Sequence, residues 1–163
     1  MASIQQRILD VVYNCGGITK RGVEKIAGND LILKEFLEKK ILKKQPIEIQ
    51  DKKIALYTIT DFGERLYTEQ TGKKHFFRCS RGEKVVALSY FYISEIENCN
   101  DWRNKDEWYA HGEHGLIPDG TYYKNGEQYG IVVVRKSERN RAEEQLKTFS
   151  ENQQIKQIKI MIQ

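Results

Sequence analysis

The chain has 163 residues, room for one domain or two small ones, and its balance of 39% hydrophobic and 31% charged residues is that of a folded protein rather than a disordered one. No apolar run approaches the ~20 residues that span a bilayer, and the opening MASIQQRILD lacks the apolar stretch of a signal peptide, so a cytoplasmic location without a membrane partner is expected. The net charge of +4 is mildly basic and points only weakly to nucleic acid until the charge is located.

Residues 2–14 place Ile4, Ile8, Val11 and Val12 on one helical face, and CGGIT stops that helix with two glycines suited to left-handed conformations. Thr19 is an N-cap for the short helix KRGVEKIAG, closed by Gly28. Asn29 or Asp30 caps a third helix, LILKEFLEKK, with Leu33, Phe36 and Leu37 at helical spacing. Two extended segments, roughly 42–49 and 53–59, flank QDKK and read as a hairpin. Thr60 then caps a fourth helix in TDFGERLYTEQTG, with Glu64 near its start. Three short helices, a hairpin and a further helix make a winged helix-turn-helix over residues 1–72, a DNA-binding fold by habit.

Residues 1–72 hold 12 Lys/Arg against 10 Asp/Glu, so placement matters more than the sum. The cations cluster as Lys20-Arg21, Lys39-Lys40, Lys43-Lys44 and Lys52-Lys53, with Lys34 on the third helix. The last two pairs fall at the base and tip of the wing, where lysines reach phosphates and position a protein without reading sequence. Asp30, Glu35 and Glu38 burden the third helix with acid, which shifts the expected contact to the wing and the second helix. The plainer reading is that these lysines are a solvated face.

A boundary is expected at Gly72-Lys73. Most of 75–93 reads as one helix, irregular at Gly82, and ENCNDWRNKD reads as a loop. EWYAH is expected as a first strand, LIPDGTYYK as a second, NGE as a compact turn and QYGIVVVRK as a third. SERNRAEEQLKTFSENQQ follows as a helix capped by Ser137. IKQIKIMIQ is a closing strand with Ile158, Ile160 and Ile162 on one face and an edge suited to self-association.

Cys15, Cys79 and Cys99 are odd in number and widely spaced, so three reduced thiols are expected rather than a disulfide framework. His111, Glu113 and His114 have donors at close spacing, but zinc needs four ligands and no paired cysteines complete the set. Trp102, Trp108, Tyr109, Tyr122 and Tyr123 suit stacking on exposed bases, although aromatics on alternating strands more often form core. There is no Ser-His-Asp set, Walker loop or GxGxxG, and no cofactor is expected.

Helix, three strands, helix, strand over 73–163 is the minimal α-β-β-β-α-β core of the PD-(D/E)XK nuclease-like fold. With a winged helix before it, the α+β chain resembles the replication-relaxation family of plasmids and integrative elements, which includes MobC-like accessory proteins of conjugative relaxosomes. The resemblance is carried by His75 opening the first core helix, Glu107 in DEWYAH, Pro118-Asp119 in LIPDG, and RKSERNRAEEQL after a buried third strand. It implies a partner in double-stranded DNA and a relaxase or replication protein nearby. Helix-turn-helix proteins also often dimerise on repeated half-sites.

Nucleases of this fold hold magnesium with two or three carboxylates, and a lysine helps activate water. Here the third strand offers Ile131, Val132, Val133 and Val134 where an acid is needed, before Arg135 and Lys136. Glu107 and Asp119 are therefore expected to be vestigial, with no metal held and no catalytic residue. Arg135 and Lys136, with Arg139 and Arg141, would line a basic groove, unless Arg139 and Arg141 merely pair with Glu143 and Glu144. The expectation is a non-catalytic DNA-binding accessory protein. The alternatives are a metal-dependent endonuclease using Glu107, Asp119 and an unplaced acid, a transcriptional repressor, and a protein-binding inhibitor.

Overall fold

Ser3 starts the first helix by accepting a hydrogen bond from the Gln6 amide at 3.1 Å. Helix α1 (Ile4–Cys15) buries Ile8, Val11 and Val12 and ends at Gly16, whose φ of 93° is the left-handed conformation that glycine adopts most cheaply. The computed structural model describes residues 2–95 and 99–162, a mixed α+β arrangement with two sheets. The chain divides after Ile93 into two compact units.

In the first unit, β1 (Ile18–Thr19) leads into α2 (Lys20–Ala27), which Thr19 caps by accepting from the Gly22 amide at 3.1 Å. Asn29 holds the next turn by accepting from Leu31 N, and α3 (Leu31–Glu38) follows with no side-chain cap from Asp30. Strands β2 (Leu42–Ile49) and β3 (Lys52–Ile59) form a hairpin closed by Gln50 and Asp51, both at positive φ. That two-residue turn matches the twist of the strands it joins. The sheet order is β1-β3-β2, all antiparallel. Thr60 then caps α4 (Asp61–Thr71) through the Gly63 amide.

The expected helix over 75–93 is shorter than its pattern suggests. Residues 73–80 run without regular structure, and α5 begins at Gly82 and ends at Glu95. The reason lies in Phe76 and Phe77, which are adjacent and both buried. Phe76 sits edge-on to Tyr13 and Tyr67, while the Phe77 amide donates to the Tyr13 carbonyl, and an extended segment can sink two successive side chains where a helix would turn one away. His75 consequently lies ahead of the helix and does not open it.

Helix α5 also moves the expected boundary at 72/73. Val85 and Val86 pack with Leu56, Ile47 and Ile54 of the hairpin, Tyr90 hydroxyl meets Thr19 at 3.2 Å, and Tyr92 accepts from Asn14. Burial against the hairpin, β1 and α1 makes α5, as far as Ile93, part of the first unit.

The second unit contains β4 (Asn100–Asn104), α6 (Lys105–Ala110), β5 (Gly120–Lys124), β6 (Glu127–Val134), a 3-10 turn over Lys136–Glu138, α7 (Arg139–Gln153) and β7 (Gln157–Ile162). Its sheet order is β4-β5-β6-β7, with antiparallel pairs up to β6 and a parallel β6/β7 pair joined through α7. Asn125 and Gly126, both at positive φ, close the β5–β6 hairpin where NGE was expected to turn. One face of the sheet packs Val132, Val134, Ile158 and Ile160 on Ala142 and Leu146 of α7.

Three expectations in this half are corrected. The loop expected over 97–106, whose first two residues lie outside the described residues, supplies β4 and the start of α6. EWYAH is helical within α6 rather than a strand, because Asn104 and Glu107 form a complete capping box at its start. Ser137 lies inside the 3-10 turn and does not cap α7, whose N-cap position is Glu138, which makes no side-chain capping hydrogen bond. Among the described residues no helix is long and apolar enough to cross a membrane.

Candidate nucleic-acid interface

The cations expected to meet DNA divide by what holds them. On α2, Lys20 lies 3.6 Å from Asp30 and 3.9 Å from Glu24, while Arg21 beside it is exposed. On α3, Lys34 shares Asp30 at 3.8 Å and Lys39 grips Glu35 at 2.6 Å. Lys40 leaves that helix in the left-handed region at φ 57°. Of the three acids that burden the third helix in the sequence, Asp30 and Glu35 thus lie against cations of α2 and α3.

The hairpin lysines are different. Lys43, Lys44, Lys52 and Lys53 are all exposed, and among the described residues none of them has an ion-pair partner within 4 Å. Strand alternation splits them between the two faces. Lys43 and Lys52 lie on the face of Ile47, Ile54 and Leu56, which packs on α5, and Lys44 and Lys53 lie on the opposite face with Tyr57. Register places Glu48 opposite Lys53, and Asp51 sits in the turn, two acids that the clustering of lysines obscured. Four lysines against these two acids still leave the hairpin positive.

Arg135 and Lys136 are exposed where β6 ends, in the second unit. Arg139 pairs with Glu143 at 3.1 Å, the helical i,i+4 contact expected as the plainer alternative.

The two carboxylates weighed as metal ligands are structural in their contacts. Glu107 Oε1 accepts the Asn104 amide at 2.9 Å and the Glu107 amide donates to Asn104 Oδ1 at 2.9 Å, which commits the side chain to starting α6. Asp119 is 1% exposed, and its Oδ2 accepts the Val133 amide at 2.8 Å. Lys105 Nζ stands 3.9 Å from its other oxygen. The rest of the PDG stretch has equally local uses. Pro118 is buried against Gly130, and a Cβ on Gly120 would lie 2.2 Å from the Trp102 ring. Among the described residues no three His, Cys, Asp or Glu side chains converge as a metal site. His111 and His114 are exposed in a turn, and Glu113 accepts from Gln153 instead.

The aromatics also separate. Trp108 is core, edge-on to Phe149 and donating to Thr121. Trp102, Tyr122 and Tyr129 stack across β4, β5 and β6 with centroids 5.6 and 5.8 Å apart. Burial, with Cys99 next, pushes the Tyr122 phenol up to about 12. Tyr109 and Tyr123 remain exposed, at 40% and 38%. Among the described residues Cys15, Cys79 and Cys99 are in no disulfide. Compared with family models, curated proteins and solved structures, the chain matches none.

Proposed function

We propose that the protein binds double-stranded DNA without cutting it, the first unit acting as a winged helix-turn-helix and the second as a nuclease-like module that has lost its metal site. The observation that carries this is the hairpin. It is a two-stranded ribbon with four exposed lysines free of ion pairs among the described residues, whereas three of the helical lysines are held by acids. Cations already matched to carboxylates gain little from a phosphate, while unmatched ones release counterions when they meet it.

The order helix, short strand, two helices, hairpin, helix supports the winged reading of the first unit. For the second, three antiparallel strands continued in parallel through α7 support the nuclease-like reading. The commitment of Glu107 to a capping box and of Asp119 to the Val133 amide favours loss of cleavage over the metal-dependent endonuclease. With the resemblance to the replication-relaxation family, this makes the protein an accessory factor at an origin of transfer or replication, beside a relaxase or replication protein.

The test is selection of bound fragments from sheared DNA of the source organism and its mobile elements, at moderate salt. Enrichment of one short region beside transfer or replication genes is the expected result, and enrichment beside a promoter would make the protein a repressor. If nothing is enriched, or if replacing Lys43, Lys44, Lys52 and Lys53 together by Glu leaves affinity unchanged, the wing reading fails.

A further inference from the structure

The first unit contains a cleft of about 360 Å³ at the root of the hairpin. One wall is the sheet. Lys43 and Thr58 are directly paired across β2 and β3, and Gln45 lies two residues along on the same face. The other wall is the segment after α4, which contributes Phe76, Phe77, Arg78, Cys79 and Ser80. Its place is fixed by the hydrogen bond that the Phe77 amide donates to the Tyr13 carbonyl and by Arg78 lying over the Phe76 ring.

The lining has a consistent chemistry. It offers an ammonium, a guanidinium, an amide and two hydroxyls, and no carboxylate. Two other clefts, beside α7 and beside the β5–β6 turn, each include glutamate. Thr58 Oγ1 is buried without a hydrogen-bond partner among the described residues. Such a group costs about 1–3 kcal/mol unless something meets it. Glu64 holds Arg78 from outside the cleft, so one positive charge there is balanced and Lys43 supplies the excess.

We infer that this cleft binds a phosphate group. Several donors converging from two walls suit the three or four acceptor oxygens of a tetrahedral phosphate better than the two of a carboxylate. Lys43 and Thr58 bind it from the sheet, with Gln45 beside them and Arg78 and Ser80 opposite. The size falls within the about 300–1,000 Å³ of small-molecule sites, so the group is borne by a small organic phosphate or by a nucleic-acid backbone. The site stands whether or not the wing binds duplex.

The experiment titrates inorganic phosphate into the full chain at constant ionic strength against chloride, following amide shifts by NMR. Saturable shifts confined to Gln45, Thr58 and residues 78–80 are expected. Lys43→Gln should weaken binding at least about tenfold and Thr58→Val, which keeps the shape, severalfold. Lys25→Gln, on α2 away from the cleft, should change nothing. Shifts that grow linearly, or spread evenly over the surface lysines, overturn the site. So does equal affinity in Lys43→Gln and Thr58→Val when both give folded spectra. Within a positive result, a short DNA duplex that displaces phosphate identifies the backbone as its source, and a duplex that binds alongside it identifies a small organic phosphate.

Discussion

Asp119 accepts the backbone amide of Val133 at 2.8 Å, a carboxylate oxygen standing in for a strand carbonyl where the β5/β6 ladder has ended. Antiparallel pairing of β5 with β6 begins at Gly120 opposite Ile131, so Val133 is the donor left beyond the ladder. Asp119→Ala removes the acceptor from a buried amide and should lower stability by about 1–3 kcal/mol. Asp119→Asn retains a carbonyl oxygen and should lose less. Urea unfolding of both variants checks this, with and without magnesium. A loss seen only in magnesium would restore Asp119 to metal binding.

Asn104 and Glu107 predict a second, smaller effect. Asn104 is fully buried as the N-cap of α6, and its replacement by Ala should cost about 1 kcal/mol. Glu107→Gln preserves the capping box and should be near neutral, while Glu107→Ala should fall between them. Thermal unfolding of the three variants tests the order. Glu107→Gln as the most damaging of the three would show that its charge, not its cap, matters.

These two acids show what was legible and what was not. Thr19, Thr60, Gly16 and Gly28 act at the helix ends where their types and positions placed them, since a cap is a local property of three or four residues. The hairpin and its lysines were legible for the same reason. EWYAH misled because five residues are too few to show a helical period, although Asn104 with Glu107 three residues on is a capping signature. The start of α5 was hidden because the isolated pair Phe76-Phe77 carries no period of its own, so Gly82 read as an irregularity within a helix rather than as its start. Only Tyr13 and Tyr67, distant in sequence, show that the pair is extended. Asp119 and Gly120 look like chemistry in isolation. Their partners, Val133 and Trp102, are supplied by tertiary packing.

Gly63 makes a related point. A glycine in the first turn of a helix looks like a weakness worth about 1 kcal/mol against alanine. Here a Cβ would stand 2.3 Å from the Ile41 carbonyl oxygen, and backbone cannot step aside as a side-chain tip can. Gly63→Ala should therefore destabilise the protein, by roughly 2 kcal/mol or more by the usual cost of overpacking. A denaturation midpoint equal to or above the parent's would show that α4 can shift away from Ile41.

Tyr67 sets an alkaline limit on stability. It is fully buried, stacks on Tyr13 and donates to Asp10 at 2.8 Å. Burial first, then the Asp10 carboxylate, raises its pKa far above the ordinary value of 10.0. A phenol whose folded pKa is raised contributes stability that is complete below the unfolded pKa. That contribution is lost as pH rises above about 10, where the unfolded chain releases the proton first. Stability should therefore decline above that pH. Tyr67→Phe should start lower, by about 1 kcal/mol for the lost hydrogen bond, and decline less steeply. Parallel slopes for the two proteins between pH 9 and 11 would assign the alkaline loss elsewhere.

Lys44 and Lys53 give the sharpest functional prediction, because they share the face of the hairpin that does not pack on α5. If that face lies along a duplex, each lysine neutralises one phosphate, and each phosphate contributes about 0.9 to the slope of log affinity against log salt. The double variant Lys44→Gln/Lys53→Gln should lower the slope by about 1.8 and weaken binding to every duplex alike, since phosphate contacts position without specifying sequence. Changing Lys20 and Lys34, both drawn to Asp30, should lower it less. Affinities measured from low to physiological salt on two unrelated duplexes decide the matter. Loss on one duplex only would make these lysines readers of base sequence. An unchanged slope, set against a reduced one for the Lys20 and Lys34 variant, would move the contact from the wing to the helices.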